Sequence, residues 1–409
     1  MMVGTVSFPT NIPTSPSSNI PTSPSSNIPT SPSSNIPTST SSNIPTSTSS
    51  NIPTNTRSGI PSNIPTKTTT NIPTNSVATT PSNTPKPAPG PGQASGVAGL
   101  LNRPYKTLRL EWSSELGMLR VRTRVRPIQC YSLAAMGELQ RMLGDITDNP
   151  GLVRHFVLSS DVPKVFNFGG DLALFVLLVR ARDVESLKLY GKRCVDLVWW
   201  MENAAHLGVH TTVLCQGDTL GGGLESVLPF HKVIFERGAQ AGFPEVLFNL
   251  FPGMGAWDFT IRKGGFAVAN EMILSGRLYS AEELHYRRLV DVVVDDGQGE
   301  AAVERVVQEV EPRLRGTLAA LRAQRLAAPV RYESLMAIVD QWAESAMNLT
   351  DRDLRLMERL ARAQVRKAGG ADEGAVEELK RIELENAWSE RRTGYDRRSE
   401  ASPDRRGRS

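Results

Sequence analysis

An eight-residue repeat occupies the N-terminal part of the chain and limits where a folded domain can lie. The unit Asn-Ile-Pro-Thr-Ser-Pro-Ser-Ser begins at Asn11 and recurs from residues 19, 27, 35 and 43 before it decays. One isoleucine per repeat buries too little apolar area to offset the entropy of ordering the chain. Frequent proline and hydroxyl residues favour an extended, solvated chain, and a glycosylated stalk would call for a secretory signal, which the first residues lack. We therefore predict a disordered repeat tail and linker over residues 1–98.

Charge and cysteine content exclude several classes of function. The formal net charge is +4, and residues 1–98 contribute three positive charges and no negative one. The remainder is almost neutral, which argues against nucleic acid as its main partner. The three cysteines, Cys130, Cys194 and Cys215, form no CxxC pair, which favours a reducing, cytoplasmic location without structural zinc. The longest apolar run, residues 172–179, is too short to span a membrane.

Strand-like and helical patterns alternate from residue 105 onward. Strands are predicted at residues 107–112, 118–123, 153–158, 211–216, 233–235 and 290–294. Helices are predicted at residues 133–143, 183–202, 280–288, 301–322, 333–347 and 351–366. This alternation is typical of an α/β domain with buried strands, here over residues 99–298, followed by a helical region over residues 299–368. Residues 369–409, with an amphipathic segment at 373–388 and an arginine-rich end, are predicted to be a charged helix and a disordered tail.

Two glycine-bearing turns follow predicted strands. Gly169 and Gly170 come after one strand, and three glycines that include Gly222 come after another. Backbone N–H groups at such strand-to-helix turns can hold a developing negative charge. Glu225 follows Gly222 by about one helical turn, and Glu245 lies in a Gly-Phe-Pro-Glu segment further on. Two amides and two carboxylates suit chemistry on an acyl thioester. Close helix–strand packing and ordinary surface acids explain the same residues, and spacing alone leaves both interpretations open.

Other candidate sites have weaker patterns. His206 and His210 are four residues apart, but Gly208 between them argues against a shared metal-binding helix. Arg262 and Lys263 could meet a phosphate, although a solvated pair of charges is the simpler interpretation. The glycines form neither GxGxxG nor GxxxxGK[ST], so nucleotide binding is disfavoured.

Three segments resemble the motifs of the crotonase, or enoyl-CoA hydratase/isomerase, superfamily. Residues 166–172 (FNFGGDL) and 216–225 (QGDTLGGGLE) are similar to its two oxyanion-hole motifs, and residues 242–245 (GFPE) to the segment that holds its second acid. Within the superfamily, residues 243–256 (FPEVLFNLFPGMGA) and the helix around residues 354–367 resemble the diffusible signal factor synthases, which make cis-2-unsaturated fatty acid quorum-sensing signals. The resemblance covers roughly residues 105–367.

The resemblance implies a set of site residues. It makes the amides of Gly170 and Gly222 the oxyanion hole, and Glu225 and Glu245 the acid/base pair, with no metal ion and no cofactor. Three further residues are candidates for substrate binding, although each is equally compatible with a core position: Leu172, Met254 and Trp257. Two departures from the family pattern are Pro229, which is expected to kink the helix that carries Glu225, and Arg288, where many relatives have glycine.

The resemblance also implies a fold and a function. The fold is expected to be a crotonase-like β-β-α spiral core, followed by C-terminal helices that cover the site or a neighbour. The expected function is dehydration of a 3-hydroxyacyl thioester on acyl carrier protein, then thioester hydrolysis to a free cis-2-unsaturated acid. The alternatives are a plain CoA-dependent hydratase or isomerase, and a non-enzymatic binding partner for the receiver domain of a sensor kinase. A homo-oligomer, specifically a trimer, is implied as well.

Overall fold

The computed structural model describes residues 91–369, with side chains from residue 96. The octapeptide repeats, the segment at 373–388 and the arginine-rich end lie outside these residues. The strands are β1 (Leu108–Ser113), β2 (Met118–Thr123), β3 (His155–Ser160), β4 (Val165–Asn167), β5 (His210–Cys215), β6 (Asp218–Leu220), β7 (Lys232–Glu236), β8 (Gln240–Gly242), β9 (Leu278–Ser280) and β10 (Val292–Val294). The helices are α1 (Pro91–Leu101), α2 (Leu133–Asp148), α3 (Leu172–Arg180), α4 (Val184–Asn203), α5 (Gly222–Val227), α6 (Ala256–Gly264), α7 (Phe266–Ser275), α8 (Ala281–Tyr286), α9 (Gly299–Val310), α10 (Leu314–Ala327), α11 (Tyr332–Ala346) and α12 (Asp351–Lys367), with 3-10 helices at Pro244–Phe248 and Glu311–Arg313.

The strands form two sheets that the chain visits alternately. The larger sheet has the order β1-β2-β3-β5-β7-β10, and the smaller has the order β4-β6-β8-β9. The chain winds through three successive strand pairs: β3–β4, β5–β6 and β7–β8. In each pair the first, longer strand lies in the large sheet and the second, shorter strand lies in the small sheet. Strands from successive pairs that are neighbours in a sheet are parallel. This arrangement confirms the predicted β-β-α spiral.

The position of the long strands in the core explains why their sequences are continuous apolar runs. Every residue of β3 and β5 is buried, because helices cover both faces of the sheet, as is usual for parallel strands. On one face, Val157 and Leu214 pack against Val303 of α9. The predicted buried strands are therefore confirmed. Within the described residues, no helix is both long enough and apolar enough to cross a bilayer.

The short strands position the candidate site. β4 ends just before Gly169, β6 ends just before Gly221, and β8 ends just before the 3-10 helix that carries Glu245. Because β4, β6 and β8 run parallel, their ends meet at one edge of the small sheet. Three segments that are far apart in sequence are brought together at this edge.

Prolines end helices where the sequence suggested continuity. The helix predicted at 301–322 is divided into α9 and α10 by the 3-10 helix that contains Pro312. The expectation that Pro229 kinks the helix that carries Glu225 is wrong, because α5 already ends at Val227. In both places the missing N–H and the proline ring prevent an α-helix from continuing.

One helix lies across the boundary that the sequence predicts after residue 98. α1 starts at Pro91, and its Leu100 is only 3% exposed within the main core. We expect deletion of residues 1–90 to leave the melting temperature within about 2 °C, a change worth no more than about 1 kcal/mol in a domain of this size.

Deletion of residues 1–101 should lower the melting temperature by about 5 °C. A buried leucine contributes about 1.5–3 kcal/mol, and 1 kcal/mol moves the melting temperature of such a domain by about 2–4 °C. Differential scanning calorimetry of both truncations measures the difference. Equal melting temperatures would show that α1 contributes nothing to the core.

Candidate active site

The two glycine turns contact each other through their backbones. A Cβ atom on Gly169 would lie 2.7 Å from the backbone nitrogen of Gly222, and one on Gly223 would collide with the carbonyl oxygen of Asn167. Gly169 (φ +88°) and Gly221 (φ +52°) also adopt backbone conformations that other residues rarely tolerate. Glycine is therefore required for the turns to approach this closely.

The amides of Gly170 and Gly222 border the same small space. A Cβ atom on Gly222 would lie 3.4 Å from the nitrogen of Gly170. Among the backbone hydrogen bonds of turns, loops and helix caps in residues 91–369, neither amide is a donor. Two such N–H groups can donate together to an oxygen that carries developing negative charge.

Glu225 is a buried carboxylate that is held in place by the segment following Glu245. It is 2% exposed, and its Oε1 accepts hydrogen bonds from the amides of Met254 (2.8 Å) and Ala256 (2.9 Å). These bonds favour the ionised form, but burial outweighs them and raises the pKa of Glu225 to about 7. A carboxyl with this pKa can gain and lose a proton near neutral pH.

Glu245 lies against the second glycine turn, in the 3-10 helix Pro244–Phe248. A Cβ atom on Gly221 would collide with its Oε1, and its buried Oε2 has no hydrogen-bond partner among the described residues. Burial, and then the charge of Glu225, raise the pKa of Glu245 well above its usual value. Two interacting carboxyl groups with raised pKa values can share one proton near neutral pH, so the pair can supply one acid and one base.

This pairing predicts a bell-shaped dependence of kcat/KM on pH. Below about pH 7 Glu225 becomes protonated and the base is lost, while at higher pH Glu245 loses its proton and the acid is lost. Because the two groups interact, the two limbs report the pair rather than single residues. Initial rates measured between pH 5 and pH 10 check this expectation, and a profile that is flat across that range would contradict it.

Glu225 and the two glycine turns adjoin one of two neighbouring cavities, and Glu245 lines neither of them. The reaction cavity, of about 50 Å³, is lined by Tyr131, Gly170, Phe175, Tyr190, Gly191, Cys194, Gly222, Glu225, Gly253, Met254 and Trp342. The apolar chamber, of about 20 Å³, is lined by Tyr131, Leu139, Leu143, Leu158, Cys194, Leu197, Val198, Met201, Ser226, Phe230 and Met254. The two cavities share Tyr131, Cys194 and Met254 in their walls, so they are neighbours.

Only one of the three predicted substrate-binding residues lines these cavities. Met254 lines both. Leu172 lines neither, because as the first residue of α3 it is buried in the main core. Trp257 also lines neither, and its ring lies 6.2 Å from the ring of Phe266. The structure thus brings together Gly170, Gly222, Glu225, Glu245 and Met254, and leaves Leu172 and Trp257 outside.

The sequence patterns missed the aromatic walls of the reaction cavity. Tyr131 precedes α2, Phe175 lies in α3, Tyr190 in α4 and Trp342 in α11. Gly253 lies against Trp342, since a Cβ atom there would approach its ring to 2.6 Å. α11 therefore covers the site of its own chain, which was one of the two possibilities that the sequence left open.

The part of the chain that the structure describes contains no cluster of side chains suited to binding a metal ion. No group of three or more His, Cys, Asp or Glu residues there could hold a metal ion. His210 lies in β5 and His206 in the turn after α4, so they do not share a helix. That the site needs no cofactor stays a prediction.

Comparisons with known proteins agree on one family. The family model of enoyl-CoA hydratase/isomerase matches residues 124–347, more than half of the chain. A probable enoyl-CoA hydratase of Rhizobium meliloti is 27% identical over 190 residues, which are 46% of this chain and 69% of that protein. The human enoyl-CoA hydratase domain-containing protein 2, mitochondrial, is 32% identical over 165 residues, 39% of this chain, and the match spans only 54% of that protein. The crystal structure of enoyl-CoA hydratase from Bacillus halodurans superposes with a TM-score of 0.52 at 16% identity, over 64% of this chain and 99% of that one, which shows the shared fold.

Proposed function

Because this chain belongs to the enoyl-CoA hydratase/isomerase family, we propose that it interconverts a 3-hydroxyacyl thioester and the corresponding 2-enoyl thioester. One observation supports the proposal above the others. Two buried carboxyl groups with raised pKa values, Glu225 and Glu245, lie beside two glycine amides that border one small space. Neither a nucleotide-binding enzyme nor a metalloenzyme needs this combination.

The proposed reaction uses each group once. The thioester oxygen accepts hydrogen bonds from the amides of Gly170 and Gly222, which stabilise the enolate that forms when carbon 2 loses its proton. Ionised Glu225 takes that proton, and the protonated carboxyl of Glu245 gives its proton to the departing 3-hydroxyl. The C2–H and C3–O bonds break, the C2–C3 double bond forms, and water leaves. Hydration is the same sequence in reverse.

The apolar chamber suggests the class of substrate. Its lining is dominated by aliphatic and aromatic side chains such as Leu143, Leu158 and Phe230, and it shares Met254 with the reaction cavity. An unbranched acyl chain gains about 0.8 kcal/mol for each buried methylene group. We therefore propose an acyl thioester with an apolar chain, carried by CoA or by acyl carrier protein.

A second candidate is dehydration followed by hydrolysis of the thioester, as in the signal synthases. The segment 243–256, which carries that resemblance, holds Glu245 and also supplies the Met254 and Ala256 amides that position Glu225. The same two glycine amides can stabilise the tetrahedral oxyanion of hydrolysis. Water would add to the carbonyl carbon, the C–S bond would break, and the thiol would leave with a proton. The receiver-domain partner, the trimer and the cytoplasmic location stay predictions.

One experiment tests both candidates. The purified full chain is incubated with 3-hydroxydodecanoyl-CoA and, separately, with the same acyl group on acyl carrier protein. Mass spectrometry identifies the products, and titration measures free thiol. A 2-enoyl thioester without free thiol supports the first candidate, and free thiol matched by free 2-enoic acid supports the second. No change in either substrate would overturn both.

A further inference from the structure

We propose that Tyr190 and Tyr131 form a hydrogen-bonded bridge that fixes the distance between the two oxyanion-hole turns. Both tyrosines act as positioning residues for the amides of Gly170 and Gly222. The inference rests on the proposed function, because it assigns a role within that site.

The first half of the bridge is centred on the hydroxyl of Tyr190. This oxygen accepts a hydrogen bond from the backbone N–H of Asp171 (3.1 Å) and donates one to the carbonyl oxygen of Tyr131 (2.7 Å). Asp171 directly follows Gly170, so the hydroxyl holds the peptide next to the first oxyanion amide. The ring of Tyr190 packs edge-on against Phe175 at 4.9 Å, and Phe175 in turn lies against Gly170.

The second half runs from Tyr131 to the other turn. The backbone N–H of Tyr131 donates to the carbonyl oxygen of Gly169 (2.8 Å). Its hydroxyl donates to Oγ of Ser226 (2.6 Å), and that hydroxyl donates to the carbonyl oxygen of Gly223 (2.7 Å). Hydrogen bonds on both sides of Tyr131 therefore link the peptide after Gly170, through Tyr131 itself, to the carbonyl group of Gly223.

The surroundings of the two phenols show why hydroxyl groups are present there. Both tyrosines are buried and line the reaction cavity, beside apolar side chains. A buried hydroxyl is unfavourable unless it is hydrogen-bonded, and phenylalanine would fill the same volume without that requirement. Burial raises the pKa of both phenols well above the usual value, so both remain neutral donors at any working pH.

Positioning matters because the turns carry no side chains that could fix their separation. They touch through backbone atoms, including the carbonyl oxygens of Asn167 and Leu220, and an oxyanion hole is effective only when both donors lie at hydrogen-bond distance from one oxygen. A displacement of about 1 Å in such a site costs about 10²-fold in rate. The bridge is the side-chain link, in the described residues, that joins the two turns at the cavity.

The test is Tyr190→Phe, which removes the central hydroxyl and keeps the ring. We expect kcat to fall about 10–100-fold while KM stays within about threefold, since the cavity walls are unchanged. Tyr332→Phe is the matched control. Its hydroxyl also donates a 2.7 Å hydrogen bond, to Asp196, but it does not line either cavity. That variant should keep wild-type kcat.

Ser226→Ala provides a second break in the same chain without altering either aromatic ring. It should also lower kcat, and the double variant Tyr190→Phe/Ser226→Ala should lose no more than about the larger single loss, because both changes interrupt one connection. If the two substitutions damaged the structure independently, their fold-losses in kcat would multiply instead. Wild-type kcat in Tyr190→Phe, or a multiplied loss in the double variant, would overturn the bridge.

A measurement without substrate separates this inference from the proposed function. In Tyr190→Phe, amide hydrogen exchange over residues 169–171 and 221–223 should be faster than in the wild type, and in Tyr332→Phe it should be unchanged. Unchanged exchange in Tyr190→Phe contradicts the bridge, whatever reaction the protein catalyses. An inactive wild type with faster exchange in the variant contradicts only the proposed function.

Discussion

Replacing Glu225 by glutamine is expected to lower kcat by about 10²–10⁴-fold, the usual contribution of a positioned acid or base. The amide oxygen can still accept the hydrogen bonds from Met254 and Ala256, so the segment that holds it stays in place. What is lost is a group that can take a proton from carbon 2. Glu245→Gln should have an effect of similar size, since its amide cannot protonate the departing hydroxyl.

Glu236→Gln is a matched control for both variants. Glu236 is also a buried carboxylate, 7% exposed, and its Oε1 accepts a backbone hydrogen bond from Gly299 at 3.1 Å. It lines neither the reaction cavity nor the apolar chamber. Steady-state rates and circular dichroism of all three variants make the comparison. If either Glu225→Gln or Glu245→Gln is folded and as active as Glu236→Gln, that glutamate has no part in the mechanism.

Gly222→Ala is expected to leave the fold intact and to lower kcat by about 10²–10³-fold, a loss as large as that of one oxyanion donor, because its N–H stays but the substrate oxygen is kept away from it. The new methyl group would make ordinary contacts, 3.4 Å from the nitrogen of Gly170 and 3.4 Å from Cε of Met254. That methyl group occupies the space that the thioester oxygen needs. Binding of the acyl chain in the apolar chamber should be affected much less than turnover.

The neighbouring variant Gly223→Ala separates stability from catalysis. Its methyl group would collide with the carbonyl oxygen of Asn167, so the two turns would have to move apart. We expect a melting temperature several degrees below that of Gly222→Ala, because overpacking a tight contact costs about 1–3 kcal/mol. A fully active Gly222→Ala enzyme would show that the space between the two amides is not where the substrate oxygen binds.

Local sequence patterns predicted the features that neighbouring residues determine. The helix predicted from residue 280 is confirmed as α8, and it begins with a capping box of Ser280 and Glu283, whose two hydrogen bonds form within four residues. Arg288, where relatives have glycine, has φ +67°, which explains that preference. The glycine turns and both glutamates were found from short motifs for the same reason.

Features that depend on distant packing were not predictable. Arg262 does not face solvent or a phosphate, because its guanidinium pairs with the buried carboxylate of Glu202, 60 residues earlier, at 2.8 Å. The wall formed by Trp342 depends on how α11 packs across α4, where Gly191 lies against Val339. No pattern within α11 shows which of its apolar residues faces a cavity rather than the core.

The most direct test of the central claim follows the proton at carbon 2. The wild-type chain is incubated with 2-dodecenoyl-CoA in heavy water, and the 3-hydroxyacyl product is analysed by mass spectrometry. The mechanism predicts one deuterium at carbon 2 for each hydration, with the rate reduced about 10²–10⁴-fold in Glu225→Gln. Absence of both product and deuterium with the wild-type chain, or equal incorporation by Glu225→Gln and Glu236→Gln, would contradict it.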